Sequence, residues 1–196
     1  MCGRYYIESD QADSELADIL EELQRIHGNS EAHAAMKLGE IFPTNIVPVL
    51  FSQGPTLMKW GYSGYGNRVI NARSETVLEK PMFRRSMMER RCLLPASGYF
   101  EWMRTPSGGK SKQKYALFQA GQSTIYMAGL WREEQGEALP VFVILTKAAG
   151  AGIAEIHNRM PVILPEAARK AWLSTSADPG RLMDMAAESM DYRPVS

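Results

Sequence analysis

Short apolar runs interrupted by glycine, proline and serine are the feature that most constrains the fold of this chain. Six of them read VPVLFS, TLMKWGY, CLLPASGYFEW, KYALFQA, STIYMAGLW and LPVFVILT, and they begin at residues 47, 56, 92, 114, 123 and 139. Their β-branched and aromatic content is typical of strands, and the turn-forming residues between them favour short connections. The sequence therefore predicts a largely antiparallel sheet that curls into a barrel-like core.

One long amphipathic stripe predicts a helix near the N-terminus. Apolar residues recur at helical spacing over Gln11–His27, with Asp10 as the predicted cap and Gly28 at the end. The stripe consists of Leu16, Ile19, Leu20, Leu23 and Ile26. Because its charged residues are mainly acidic, this helix is interpreted as scaffold.

Shorter helices are predicted at Met82–Arg91, in the stretch AAGAGIAEIH and in PEAARKAWL, where Pro165 is a favoured first helical residue. There is no repeat and no break in composition. We expect an α+β fold, a single domain over residues 1–196 whose mostly antiparallel, barrel-like β core is flanked by helices. The motifs discussed below span residues 2–172, and a C-terminal helix and tail are expected over residues 181–196.

Composition places the chain among ordinary globular proteins. Of its 196 residues, 45% are hydrophobic and 22% charged, which suits one domain with a substantial core. No apolar run has transmembrane length, and the N-terminus lacks a signal-peptide pattern. We therefore expect a cytoplasmic protein with no membrane partner. In that compartment Cys2 and Cys92 would be reduced, and their spacing does not indicate a metal site.

Charge is unevenly distributed although the net charge is zero. Every charged residue from Glu8 to Glu22 is acidic, whereas the segments Arg84–Arg91 and Arg104–Lys114 are basic. A neutral chain has no global field that attracts nucleic acid, so an anionic ligand is expected on the side of the basic segments. The alternative is that each run is a solvated face.

Cys2 follows the initiator methionine, and removal of Met1 would make it the N-terminal residue. An N-terminal cysteine is a 1,2-aminothiol whose two groups both have ordinary pKa values of about 8. Its amine condenses with an aldehyde to an imine, and its thiol then closes a thiazolidine ring. The same pair can act as the base and nucleophile of an amidohydrolase. The position is also compatible with chance, so Cys2 alone does not decide between these readings.

Polar residues interrupt the apolar pattern in three further stretches: INARSET, GYFEW and IHNRMP. Glu101 is a candidate acid–base group on a strand, and His157 lies between a predicted helix and a predicted strand. Asn71 can orient an amine or a carbonyl, Arg73 can hold a phosphate, and Glu75 is expected to hold that arginine. A solvent-facing glutamate, a structural histidine and a simple turn are the alternative interpretations.

Taken together, MCGRY, WGY, INARSET, CLLPASGYFEW, ILTKAAG and IHNRMPVIL resemble, in this order and spacing, the SOS-response-associated peptidase family. The resemblance covers nearly the whole chain, to about Trp172. It implies a protein that senses abasic sites in single-stranded DNA and crosslinks to them covalently. It also implies an autopeptidase reaction on residues ahead of Cys2. It implies no cofactor and no metal, and we expect a monomer.

The resemblance also implies roles for individual residues. Cys2 would supply amine and thiol, Asn71 would position it, Glu101 would shuttle protons, and His157 would help to open the sugar ring. The residues matched to DNA contacts are Arg4, Arg73 and Arg159 on the backbone, Trp60 stacking beside the lesion, and Thr146 lining the pocket.

Three positions depart from the family pattern. Pro43 is aligned with a loop proline in a different sequence context. A basic residue usual after NAR is displaced, with Lys80 or Arg84 as its substitute, and we take Arg84 as a DNA-binding candidate. Asn158 stands where the family has an aspartate beside Arg159.

Two other functions remain open on the sequence. One is an N-terminal-nucleophile amidohydrolase, although no convincing oxyanion motif accompanies Cys2. The other is a non-catalytic module for single-stranded DNA, which would lose all binding at high salt.

Overall fold

The computed structural model describes residues 2–8, 15–64, 66–104 and 112–195. In these residues the strands are β1 (Arg4–Ile7), β2 (Gly39–Ile41), β3 (Ile46–Phe51), β4 (Gly54–Trp60), β5 (Asn71–Arg73), β6 (Arg91–Ala96), β7 (Gly98–Arg104), β8 (Lys112–Phe118), β9 (Ile125–Arg132), β10 (Val141–Ala148), β11 (Arg159–Pro161) and β12 (Asp191–Val195). The helices are α1 (Glu15–His27), α2 (Glu31–Ala34), α3 (Pro81–Glu89), α4 (Ala151–Ala154), α5 (Glu166–Trp172) and α6 (Pro179–Asp184).

Two sheets form the β core. The first, sheet A, has the strand order β12-β8-β7-β1-β2, and each of its pairings is antiparallel. Strand β1 lies in it between β2 and β7, with Arg4 opposite Phe100 and Tyr5 opposite Tyr99. The N-terminal segment is therefore hydrogen-bonded to the strand that carries Glu101.

The second sheet, sheet B, closes on itself into a ring. Its order is β11-β10-β4-β3-β6-β9, and β9 pairs again with β10. The pairings of β10 with β4 and with β5 are parallel, whereas the others are antiparallel. Because β5 and β11 both pair with the C-terminal part of β10, their polar residues meet at one end of the ring.

Successive strand residues point to opposite faces of a sheet. In sheet B both sets of side chains are apolar, so both faces pack against other parts of the protein. One face carries Trp60, Phe142 and Ile144 and packs with Cys2 and Tyr5 in one buried cluster. The other face packs against the helices. Its cluster includes Leu23 of α1, Phe83 of α3, Trp172 of α5, Leu182 of α6 and Leu145 of the sheet. The first cluster is the interior between the two sheets, and the site lies at its edge.

The predicted α+β fold with a mostly antiparallel β core and flanking helices is confirmed, and the ring of sheet B is the part of the core that was predicted to be barrel-like. Two details of the prediction are wrong. The run CLLPASGYFEW is two strands, because the chain passes at Ser97 from β6 in sheet B to β7 in sheet A. The basic helix ends at Glu89, and Arg91 already belongs to β6.

The predicted start of the first helix, at residues 10 and 11, lies outside the described residues. Within the described residues, helix α1 begins at Glu15. The last residues contain the end of α6 and then strand β12 along β8. No helix in the described part of the chain is long and apolar enough to cross a membrane.

Candidate active site

Cys2 lies immediately before β1 and is fully buried in the interior between the sheets. Its Sγ donates to the carbonyl oxygen of Arg4 at 3.8 Å. Burial raises the pKa of the Cys2 thiol far above its ordinary value, and the negative charge of Glu101 raises it further. The thiol is thus held in its neutral form in this arrangement.

Asn71 fixes the backbone at Cys2. It begins β5, and its Nδ2 donates a 2.9 Å hydrogen bond to the carbonyl oxygen of Cys2. Its Oδ1 is buried and accepts no hydrogen bond from the described residues. The amide therefore holds the start of the chain with one end and presents an acceptor with the other.

Glu101 reaches the same place from β7. Alternation along the strand puts Tyr99 and Glu101 on the inner face of sheet A and Phe100 and Trp102 on its outer face. The Glu101 side chain is 5% exposed. Burial raises the pKa of its carboxyl group above 4.5, and the neighbouring His157 partly opposes this shift. A carboxyl group whose neutral form is stabilised in this way is suited to accept and return a proton.

His157 lies between α4 and β11, and its Nδ1 is 4.0 Å from Oε1 of Glu101. The backbone N–H of Arg159 donates to the same Nδ1 at 3.1 Å. The same Nδ1 lies 3.3 Å from the carbonyl oxygen of Arg159. The histidine is therefore held against the backbone of Arg159 and next to Glu101.

Arg159 is held beside this pair by three oxygen-bearing groups. Its Nη2 donates to the Thr146 carbonyl at 2.6 Å and to Oε2 of Glu75 at 2.9 Å, while Nη1 bonds the other oxygen of Glu75. The fully buried Thr146 also accepts at its hydroxyl, at 3.3 Å. Glu75 was expected to hold Arg73, and this prediction is wrong because the carboxylate pairs across the site with Arg159.

The predicted phosphate contacts differ in their surroundings. Arg73 is exposed and lies on the same face of β5 as Asn71. Arg84 is exposed on α3. The basic segment around it is not one charged surface, because Arg91 is buried and donates to the carbonyl oxygens of Met87 and Trp172. The second basic segment falls largely outside the described residues.

Arg4 is not part of the buried cluster. Its register opposite Phe100 places it on the outer face of sheet A, away from Glu101. There Nη1 bonds Oε1 of Glu40 at 2.9 Å, and the guanidinium lies 3.6 Å from the ring centroid of Phe42 and 5.8 Å from that of Trp102.

Two aromatic residues that the sequence analysis did not select therefore lie beside Arg4. Phe42 is 40% exposed and Trp102 is half-buried. Lys114 also reaches Trp102, with Nζ 5.8 Å from its ring, and bonds Glu40. The sequence signal that could have identified Trp102 is the alternation within GYFEW, which puts Trp102 on the face of the strand opposite Glu101.

Trp60 does not offer a stacking surface in this structure. It is fully buried, its Nε1 donates to the carbonyl oxygen of Ile70 at 3.0 Å, and its ring packs against Tyr5 and Phe142. The predicted contact with a base is therefore wrong for this conformation, because the ring has no exposed surface. Its hydrogen bond instead supports the residue directly before Asn71.

Comparison with known proteins identifies the family. The sequence matches the family described as SOS response associated peptidase (SRAP) over residues 1–196. This chain belongs to the SRAP family. The abasic site processing protein YoqW of Bacillus subtilis is 29% identical over 94% of this chain and 86% of that protein. YedK of Escherichia coli, also called an abasic site processing protein, is 33% identical over 70% of this chain and 65% of that protein.

A solved structure supports the SRAP fold. The match to a protein from Bacteroides thetaiotaomicron covers 100% of this chain and 92% of that protein, with a TM-score of 0.74 and 20% sequence identity. At that identity the likeness concerns the fold alone.

Within this SRAP domain four of the predicted residues come together: Cys2, Asn71, Glu101 and His157. They bring together a thiol, a side-chain amide, a carboxyl group and an imidazole, which are residue types that can serve nucleophilic and acid–base chemistry. Thr146 and Arg159 border them.

Proposed function

We propose that this chain, after removal of Met1, captures abasic sites in single-stranded DNA as a thiazolidine formed by Cys2. The observation that carries the proposal is the convergence on Cys2 of one group that orients it and two that move protons. Asn71 bonds its carbonyl at 2.9 Å, and Glu101 and His157 lie 4.0 Å apart beside it. The names of the relatives, which refer to abasic site processing, support the same substrate.

The reaction begins with the amine. The Cys2 nitrogen attacks the aldehyde carbon of the open-chain sugar, and the resulting carbinolamine loses its hydroxyl as water to give an imine. The sulfur then bonds to the imine carbon, and the thiol proton passes to the nitrogen. One aldehyde and one aminothiol thus give one thiazolidine and one water.

Each site residue has a task in this sequence. Glu101 takes a proton from the attacking amine and returns one to the departing hydroxyl, and its raised pKa suits both transfers. Asn71 Oδ1, which is buried and accepts no hydrogen bond from the described residues, is available to the α-amine. His157 donates a proton to the ring oxygen of the closed sugar as that ring opens.

The thiol reacts second. Burial raises the pKa of Cys2 and keeps the sulfur protonated, whereas the reaction with an imine needs a thiolate or a nearby base. We infer that the imine forms first and that Glu101 then accepts the thiol proton. The order of imine formation and ring closure can be tested, because borohydride traps an imine and does not trap a thiazolidine.

Single-stranded DNA fits the surroundings of the site better than duplex. Arg73 is an exposed cation on the site face of β5. Arg4 lies on the outer face of sheet A, where its guanidinium is 3.6 Å from the ring centroid of Phe42 and 5.8 Å from that of Trp102. Aromatic rings next to cations are typical of surfaces on which bases of a single strand stack. Reaching a lesion inside a duplex would cost a few kcal/mol of unstacking.

Intact mass spectrometry tests the proposal directly. The purified protein is measured before and after addition of a single strand with one abasic site, beside Cys2→Ala. We expect a mass without Met1 and an adduct equal to protein plus strand minus one water. Active protein that fully retains Met1, or a heat-stable adduct in Cys2→Ala, would sink the proposal.

Two alternatives predict different outcomes in the same experiment. An amidohydrolase would release ammonia from glutamine and form no adduct with the abasic strand. A non-catalytic binding module would hold the strand only until salt or denaturant is added, whereas a covalent adduct survives both.

A further inference from the structure

The Glu75–Arg159 pair is built as a two-point contact at the rim of the site. Both outer nitrogens of the guanidinium bond the two carboxylate oxygens of Glu75, with Nη2 to Oε2 at 2.9 Å. Nη2 is also fixed from behind by the Thr146 carbonyl at 2.6 Å. This fork-to-fork geometry is the one in which arginine binds carboxylates and phosphates alike.

The two partners differ in exposure, and this difference sets their order from the interior outward. The Arg159 side chain is 13% exposed, whereas that of Glu75 is 48% exposed. The guanidinium is therefore the inner member and the carboxylate covers it from the solvent side. The remaining donor, Nε, is buried and makes no hydrogen bond with the described residues.

The carboxylate is charged over the whole physiological range. Its hydrogen bonds with Arg159 lower the pKa of Glu75 to about 2. An approaching phosphate thus meets a permanent negative charge in the place where it would bind Arg159. Arg73, two residues before Glu75, is exposed. Among the described residues, no carboxylate forms an ion pair with Arg73.

We propose that Glu75 occupies the phosphate-binding side of Arg159 in the DNA-free chain and thereby weakens binding of undamaged single strands. This inference rests on the proposed function, since it concerns the strand held at the same site. A carboxylate that competes with phosphate keeps Arg159 aligned against Thr146 and lowers the affinity for strands without a lesion. A strand with an abasic site gains a covalent bond and so tolerates the competition.

Glu75→Gln removes the charge and keeps the size of the side chain. Binding of a fluorescein-labelled, undamaged oligothymidine is followed by fluorescence anisotropy over a salt titration. We expect about three- to tenfold tighter binding at low salt, and a slope of log affinity against log salt that is steeper by about 0.7, the value for one further phosphate contact to a single strand. Arg159→Gln is expected to weaken binding.

Three variants make the test specific. Glu22→Gln removes the same charge from an exposed carboxylate that pairs with Arg25 on α1, and it controls for net charge. Glu75→Asp keeps the charge and is expected to restore weak binding. In the double variant Glu75→Gln/Arg159→Gln the gain should vanish, because Glu75 acts through Arg159.

A competition experiment measures the consequence for selectivity. A labelled abasic strand is mixed with excess undamaged strand, and we expect Glu75→Gln to lose more adduct to the competitor than wild type or Glu22→Gln. Unchanged or weaker binding of the oligothymidine by Glu75→Gln would overturn the inference. Failure of all variants, including wild type, to form adduct would overturn the proposed function instead, since the anisotropy measurement involves no lesion.

Discussion

The side-chain amide of Asn71 donates to the carbonyl oxygen of Cys2 at 2.9 Å, although 69 residues separate the two in sequence. The bond joins β5, at one end of the strand ring, to the segment that enters β1 in the other sheet. The position of Cys2 is thus set by a residue of sheet B as well as by the strand β1 that follows it.

Asn71→Ala is expected to slow adduct formation between about tenfold and about a hundredfold, because the nucleophile loses both a hydrogen bond and its alignment. Single-turnover crosslinking with an abasic strand measures the effect. Asn158→Ala, which removes an exposed asparagine side chain beside His157, serves as the matched control. Equal rates for the two variants would show that Asn71 does not position Cys2.

Glu101→Gln is expected to slow both formation and reversal of the adduct, since an acid–base group speeds both directions, typically by about 10²–10⁴-fold. The adduct that forms would outlive that of the wild type. A time course followed by a competitor chase of the purified adduct measures both rates. Release as fast as in wild type would leave Glu101 with a structural role only.

The stability of the protein should also depend on pH through Glu101. Burial raises the pKa of this carboxyl group in the folded state, so its contribution is fully present below 4.5 and is lost as the pH rises through the folded-state pKa. Glu101→Gln removes this dependence. Denaturant unfolding of both proteins at acidic and neutral pH is expected to give a Gln variant that gains on wild type as the pH rises, and a constant difference would contradict the assignment.

His157→Ala should slow capture of ordinary abasic sites more than capture of an aldehyde that cannot form a ring. The reason is that, in the proposed mechanism, His157 protonates the ring oxygen as the sugar opens, and an aldehyde without a ring does not need this step. Time courses on both substrates, with His33→Ala in α2 as the control, measure the difference. If both aldehydes were slowed equally, His157 would act on phosphate or on Glu101 alone.

Trp60→Phe is expected to lower stability by about 2 kcal/mol and to leave the affinity for an undamaged strand unchanged. The ring is fully buried and donates to Ile70, so its loss affects the interior and not the surface. Denaturant unfolding and anisotropy separate the two effects. A large loss of affinity without loss of stability would restore the stacking role inferred from the sequence.

The long strands were predictable because their apolar runs are rich in branched and aromatic residues, as in β10. The short strand β5 was not. It has three residues, including Asn71 and Arg73, and only its pairing with β10 makes it a strand, whereas a strand after His157 was predicted and β11 is found there. Local sequence contains no signal for a pairing that depends on a distant partner.

The site residues likewise divide into those that the sequence identified and those whose contacts depend on distant parts of the chain. Cys2, Asn71, Glu101 and His157 were found because their motifs resemble those of a family, and the structure brings all four together. The partner of Glu75 was not found, because Arg73 is two residues away in sequence while Arg159 is brought near only by the β10–β11 pairing. Burial of Trp60 depends likewise on which face of β4 packs inward.

The division of the site between two separately hydrogen-bonded sheets has a mechanical consequence. Glu101 belongs to sheet A and Cys2 precedes its strand β1, whereas Asn71, Thr146 and Arg159 belong to sheet B. If the proposed function holds, a DNA strand bonded covalently to Cys2 and bound by Arg73 and Arg159 would connect the two sheets. The captured DNA would then act as a crosslink between the two sheets. Unfolding the protein would require either breaking the thiazolidine or dissociating the DNA from the arginines of sheet B.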